Sequence, residues 1–185
     1  MKYLFTILVA HSLLYSCNQK SELALFFNCN KDYEISDLKT LNDINKNYTV
    51  TYPSHWKSSL YFDDYQSDIY LADTTKSLTS TYILNISNKK GTFIVNEDFK
   101  TNNIATLKAL GLAIINEKVL KNKDIQYYYI YAKGNRNQLP YHQIQLYKPL
   151  NSSEFFDIKI EIYGNQQLEE RICDAIYFVE LLKVS

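Results

Sequence analysis

Alternation with a period of two dominates the second half of the chain. Over 155–163, Phe156, Ile158, Ile160 and Ile162 interleave with Phe155, Asp157, Lys159, Glu161 and Tyr163. Successive strand residues point to opposite faces, so this segment predicts a strand with one apolar and one polar side. Over 141–147, Ile144 and Leu146 oppose Tyr141, Gln143, Gln145 and Tyr147; over 125–132, Tyr128, Ile130 and Ala132 oppose Tyr127, Tyr129 and Tyr131. Further strands are predicted at 48–52, 60–62, 67–72, 81–86 and 113–120, with Pro53 closing the first because it cannot donate to a ladder. Lys90-Gly91 turns the chain into a short β-branched and aromatic stretch at 92–95.

Two stretches switch to helical period. Asn96 caps a helix whose apolar side is Phe99, Ile104, Leu107 and Leu110, and Gly111 ends it. After Gly164-Asn165, the stripe Leu168, Ile172, Ala175, Ile176, Val179 and Leu182 predicts a closing helix. Upstream, Ile35, Leu38, Leu41 and Ile44 recur every three residues and predict a further short helix. Strands, helix, strands and helix in that order specify an α+β fold, a mainly antiparallel β-sheet packed with helices. One sheet face then packs on the helices. The other gathers Tyr127, Tyr129, Tyr131, Tyr141 and Tyr147 with Gln143, Gln145 and Lys159. Tyrosine joins a large contact area to a polar tip and is enriched in recognition surfaces. These residues are the candidate binding face, unless the tyrosines only stabilise the sheet as cross-strand pairs or the tether and first helix cover them.

The amino terminus has its own pattern. Lys2 precedes an apolar run to Tyr15, interrupted by His11 and Ser12, and Ser16 precedes Cys17. That is the layout of a secretory signal, and it is too short for a membrane span of about 20 apolar residues. Leu14-Tyr15-Ser16-Cys17 resembles a lipobox at Leu14, Ser16 and Cys17; Tyr15 stands where a small residue is usual. The resemblance implies cleavage before Cys17, lipid on Cys17 and anchoring in a membrane on the periplasmic or cell-surface side. The expected organisation is a signal peptide at 1–16, a lipidated tether at 17–45 and one domain at 46–185.

Charge excludes one class of partner. The chain has 20 basic and 20 acidic residues, which leaves no electrostatic footprint for nucleic acid. Beyond Cys17 only Cys29 and Cys173 remain. An exported compartment permits them to pair, and two separate buried thiols are the other reading. No cofactor is expected: the four glycines are scattered and form no phosphate loop. No metal site is expected either. His55 and His142, even with Asp63, Asp64, Asp68 or Asp73, lack ligand spacing. No serine sits in a nucleophile elbow. Trp56 either meets a ligand or packs over the end of the sheet.

The segment from Tyr48 to Trp56, a strand ending in Pro53 and followed by Trp56-Lys57, resembles the PsbP-like α/β sandwich family. The likeness continues in Ala72-Asp73-Thr74-Thr75-Lys76, in the strand at 81–86 and in Ala175-Ile176-Tyr177-Phe178 of the closing helix. It implies a fold, and no catalytic residue comes with it. The expected function is therefore a membrane-anchored extracytoplasmic lipoprotein, a non-enzymatic binding or assembly module of the cell envelope. Its expected partners are membrane lipid through Cys17 and an envelope protein or glycan. The alternative is a metal-dependent or hydrolytic enzyme acting on an envelope substrate.

Overall fold

The computed structural model describes residues 21–30, 35–122 and 125–185. Cys17 and the expected signal peptide lie outside the described residues. No helix among those described is long and apolar enough to cross a membrane.

The chain runs α1 (Glu22–Phe26), β1 (Leu38–Asn42), β2 (Tyr48–Pro53), β3 (Lys57–Phe62), β4 (Gln66–Ala72), β5 (Tyr82–Lys90), α2 (Glu97–Ala109), β6 (Ala113–Asn122), β7 (Ile125–Arg136), β8 (Leu139–Pro149), β9 (Glu154–Tyr163), α3 (Leu168–Glu180) and β10 (Lys183–Val184). A seven-stranded antiparallel sheet has the order β3-β4-β5-β9-β8-β7-β6; a three-stranded sheet has the order β1-β2-β10. This is the α+β architecture that the patterning predicts. Residues 92–95 are not a strand.

At β8 the large sheet is covered on both sides, which is why this strand is buried from Tyr141 to Tyr147 without a break. On one side lie α3 and the small sheet. Ile172, Ile176 and Phe178 of α3 share a core with Tyr48, Val50, Ile69, Leu84, Ile144, Ile158 and Ile160. Each such side chain contributes ~2 kcal/mol by leaving water. Buried Arg171 ties the helix down, donating from its guanidinium to the carbonyls of Thr81, Tyr163 and Gly164, each at 2.9 Å. On the other side α2 covers only the β6-β7-β8 end, where Leu107 packs with Tyr128, Ile130, Ala132 and Tyr147.

The ends of α2 follow local chemistry. Asn96 Oδ1 accepts from the Phe99 amide at 2.8 Å. At the other end the Leu112 amide reaches Leu107 O and the Gly111 amide reaches Lys108 O, with Gly111 at φ 76°. That is a Schellman closure, which glycine adopts without a Cβ penalty. A Cβ on Gly134 of β7 would sit 2.8 Å from Gly111 O, so the helix end lies directly on the sheet backbone.

Two expectations for the amino-terminal region change. The three-residue spacing of Ile35, Leu38, Leu41 and Ile44 gives strand β1 rather than a helix, because Leu38–Asn42 pair with Thr49–Pro53. Asp37 and Lys46, at φ 62° and 59°, turn the chain on either side. The span expected as tether is also integrated into the domain. Leu23 and Ala24 are buried in the main core, and Cys29 is disulfide-bonded to Cys173 of α3, with Cα atoms 5.3 Å apart. The domain therefore begins before residue 46.

Candidate binding face

Beyond the reach of α2, the same side of the large sheet is open across β3, β4, β5 and β9. Cross-strand register sets its rows. Tyr61 lies across from Asp68, Asp68 from Ser87 and Ser87 from Asp157; in the next row Ser59, Tyr70, Asn85 and Lys159 follow one another. Tyr61 and Tyr70 are 46% and 38% exposed. Both phenols are pushed above their ordinary pKa, Tyr61 by its hydrogen bond to Asp63 and Tyr70 by burial, so they stay neutral donors. Lys159, at the end of the second row, is half-buried and makes no ion pair among the described residues.

A hydrogen-bonded line borders the open area. Lys89 Nζ lies 2.6 Å from Asp157 Oδ2, and Gln145 Nε2 donates to Asp157 Oδ1 at 2.7 Å. Gln143 Nε2 donates to Gln145 Oε1 at 3.1 Å. Tyr141 has Gln143 Oε1 at 3.1 Å and donates to Glu161 Oε1 at 2.5 Å, and Glu161 pairs with Arg136 at 2.8 Å. Polar groups linked in this way hold one another in fixed orientation. The face thus combines exposed aromatic area, a lysine and a rigid polar border on sheet strands, which position groups more closely than loops do.

Elsewhere, two of the hollows among the described residues are lined by residues singled out in the sequence. A cavity of about 460 Å³ lies on the α3 side, lined by Leu23, Tyr127, Leu146, Ile158, Val179 and Leu182 among others. A second, of about 280 Å³, has His55, Trp56, Asp73, Lys76 and Arg171 on its walls. His55 Nε2 stands 3.5 Å from Asp73 Oδ2, and Asp73 also accepts from the Thr75 amide and hydroxyl at 3.0 and 2.6 Å. His142 does not line this hollow and is buried, with Tyr131 Oη at 2.8 Å from Nδ1 and Asn165 Oδ1 at 2.8 Å from Nε2. The two histidines do not converge.

No protein-family model matches the chain, and no curated protein matches it in sequence. Solved structures do. Cyanobacterial PsbP (CyanoP) from Synechocystis superposes with a TM-score of 0.62 over 84% of this chain and 96% of that one, at 11% identity. The fold is PsbP-like. A protein from Bacteroides thetaiotaomicron is similar at a TM-score of 0.47, with 13% identity over 80% of this chain and 48% of its own. LpqN of Mycobacterium tuberculosis, described as involved in cell envelope biogenesis, is similar at 0.46, with 11% identity over 80% and 91%.

Within this PsbP-like sandwich the residues expected to share one binding face are divided. Tyr127, Tyr129 and Tyr131 lie on the α3 side with Ile144 and Leu146, since Tyr129 is paired with Leu146 and Tyr131 with Ile144. Tyr129 is fully buried. Tyr147 lies on the α2 side, across from Tyr128, and is buried beneath Phe93 and Phe99. Tyr141, Gln143 and Gln145 are on the open side but buried in the polar line. Of the eight, Lys159 alone faces the open area. The reason is the hairpin at Asn137-Gln138, both at positive φ. A two-residue turn pairs Arg136 with Leu139 and hence odd-numbered residues of β7 with even-numbered residues of β8. Tyr61 and Tyr70 were missed because they sit in short segments whose pairing is not visible locally. Trp56 is buried against Tyr82 and Phe178, with centroids at 5.1 and 5.4 Å, and so packs the sheet end.

Proposed function

We propose that this chain is a membrane-anchored extracytoplasmic lipoprotein whose PsbP-like domain is a non-enzymatic binding or assembly module of the cell envelope. The observation that carries the reading is the open half of the sheet, with Tyr61, Tyr70 and Lys159 displayed beside a locked polar border. A broad face of this kind suits a macromolecular partner, an envelope protein or glycan, better than a small substrate, which needs a concave site. The disulfide between Cys29 and Cys173 supports the compartment, since such bonds persist in oxidising surroundings. The signal-like residues 1–16 and Cys17 support the anchor.

The test places a photo-cross-linking residue at position 159 of the lipidated chain in intact cells, with position 119 on the far edge strand as control. We expect an envelope species attached through 159 and not through 119, with its yield reduced by Tyr70→Ala. Tyr70 contributes about 1–2 kcal/mol if it is a hot spot. Equal labelling from both positions would remove the open face from consideration. Separately, Cys17→Ser should abolish lipid labelling and membrane retention; a labelled, retained variant would refute the anchor.

A further inference from the structure

The two edges of the seven-stranded sheet are finished differently. β6 has a register shift between Ile114 and Asn116 and carries Glu117, Lys118 and Lys121. Bulges and charges are devices that blunt an edge against further pairing. β3 has no bulge, and its single charge, Lys57, is at its first position. It pairs with β4 alone, and every one of its residues is exposed, Leu60 at 42% and Phe62 at 46%.

The register shows which backbone groups are unused. The Asp63 amide donates to Gln66 O at 3.0 Å, so these two form a hydrogen-bonded pair at the turn. In an antiparallel ladder such pairs recur at every second position. They fall at Tyr61 with Asp68, Ser59 with Tyr70 and Lys57 with Ala72. The N–H and C=O groups of Ser58, Leu60 and Phe62 therefore point to the free edge.

We infer that β3 pairs antiparallel with β3 of a second copy of this chain, about a two-fold axis through Leu60. In that register all three outward residues of both copies are used. Leu60 meets Leu60 of the second copy, Ser58 meets Phe62 and Ser59 meets Tyr61, so a serine lies opposite each aromatic ring on both faces. One position further out, Lys57 meets Asp63 of the second copy, joining opposite charges. Sliding the strand two residues either way places Lys57 opposite Tyr61 or Tyr65 and loses this match. Sliding it by one sets outward groups against inward ones. Ser59 is the cross-strand neighbour of Tyr70, so the incoming Tyr61 lies beside Tyr70, and the open faces of the two copies become continuous. Two-fold pairing of one surface with itself is the commonest way that chains associate. The inference does not depend on the envelope reading.

The experiment is sedimentation of the full-length chain in detergent over a range of concentrations, with melting temperature as the folding control. A concentration-dependent dimer is expected. Leu60→Arg, which sets two cations face to face at an exposed position, should give a monomer of unchanged melting temperature. Lys57→Glu, placed opposite Asp63, should weaken the dimer at least about tenfold, which is roughly 1.4 kcal/mol. Leu60→Cys should oxidise to a covalent dimer, because hydrogen-bonded partners stand about 5.5 Å apart, within disulfide reach. Should Leu60→Arg melt lower, the other two variants decide. A monomeric wild type, a dimer unaffected by Lys57→Glu, or Leu60→Cys oxidising no faster than Val119→Cys on the blunted edge would overturn the inference.

Discussion

Tyr129 stands across the β7–β8 ladder from Leu146, and its hydroxyl donates to Asn116 Oδ1 at 2.8 Å. Burial raises its pKa to about 12. A phenol so placed is a core side chain with one satisfied polar atom. Tyr129→Ala should therefore cost about 3–5 kcal/mol of stability through lost burial and the cavity left behind. Tyr129→Phe should cost only about 1 kcal/mol, the net worth of the hydrogen bond. Urea denaturation checks both. An alanine variant with the wild-type midpoint would contradict the placement of this face against α3.

The disulfide offers a second measurement. Cys29 and Cys173 are separated by 144 residues, so their bond constrains most of the unfolded chain. Reduction should lower stability by about 2–5 kcal/mol. Cys29→Ser with Cys173→Ser should melt at the temperature of the reduced wild type and be indifferent to reductant. A wild type whose melting is unmoved by full reduction would show that the bond adds nothing to stability.

Asp68 predicts a pH dependence. Its carboxyl is almost inaccessible, and burial holds its pKa above the ordinary 3.8, with Ser87 and Lys89 only partly opposing. Between 3.8 and the raised value the folded chain keeps a proton that the unfolded chain releases. The stabilisation is thus complete below the unfolded pKa and is lost as pH rises through the folded one. Asp68→Asn should melt higher than wild type near neutral pH, and the difference should vanish at about pH 3. A variant that melts lower at neutral pH would mean the ionised carboxylate is better served by its neighbours than burial implies.

Local signals were readable where they completed themselves within one element. Asn96 and Gly111 bracket α2 because a cap and a positive-φ closure involve only neighbouring residues. The stripe from Leu168 to Val179 set the buried side of α3, and the alternation in β9 set its two faces. What depended on distant partners was not readable. Residues 127–131 of β7 are apolar or aromatic on both sides, so period two divides them without saying which set meets α3. That choice rests on the turn at Asn137-Gln138, which lacks the glycine that usually marks such a hairpin. Leu38 and Leu41 fit helical spacing as well as they fit a strand, and only their pairing with β2 decides. Tyr61 and Tyr70 reach one surface through the β3–β4 register, a relationship with no trace in either segment alone.

Because α1 is packed in the core and Cys29 is bonded to α3, Ser21 already belongs to the rigid body. If Cys17 carries lipid, only three residues, 18–20, separate the anchor from the fold. Over the four Cα steps from Cys17 to Ser21, at about 3.5 Å each, the reach is some 14 Å. A molecule anchored in that way would not sweep the space above its membrane. It would ride close to the lipid surface, and any partner unable to approach the bilayer would be beyond its range.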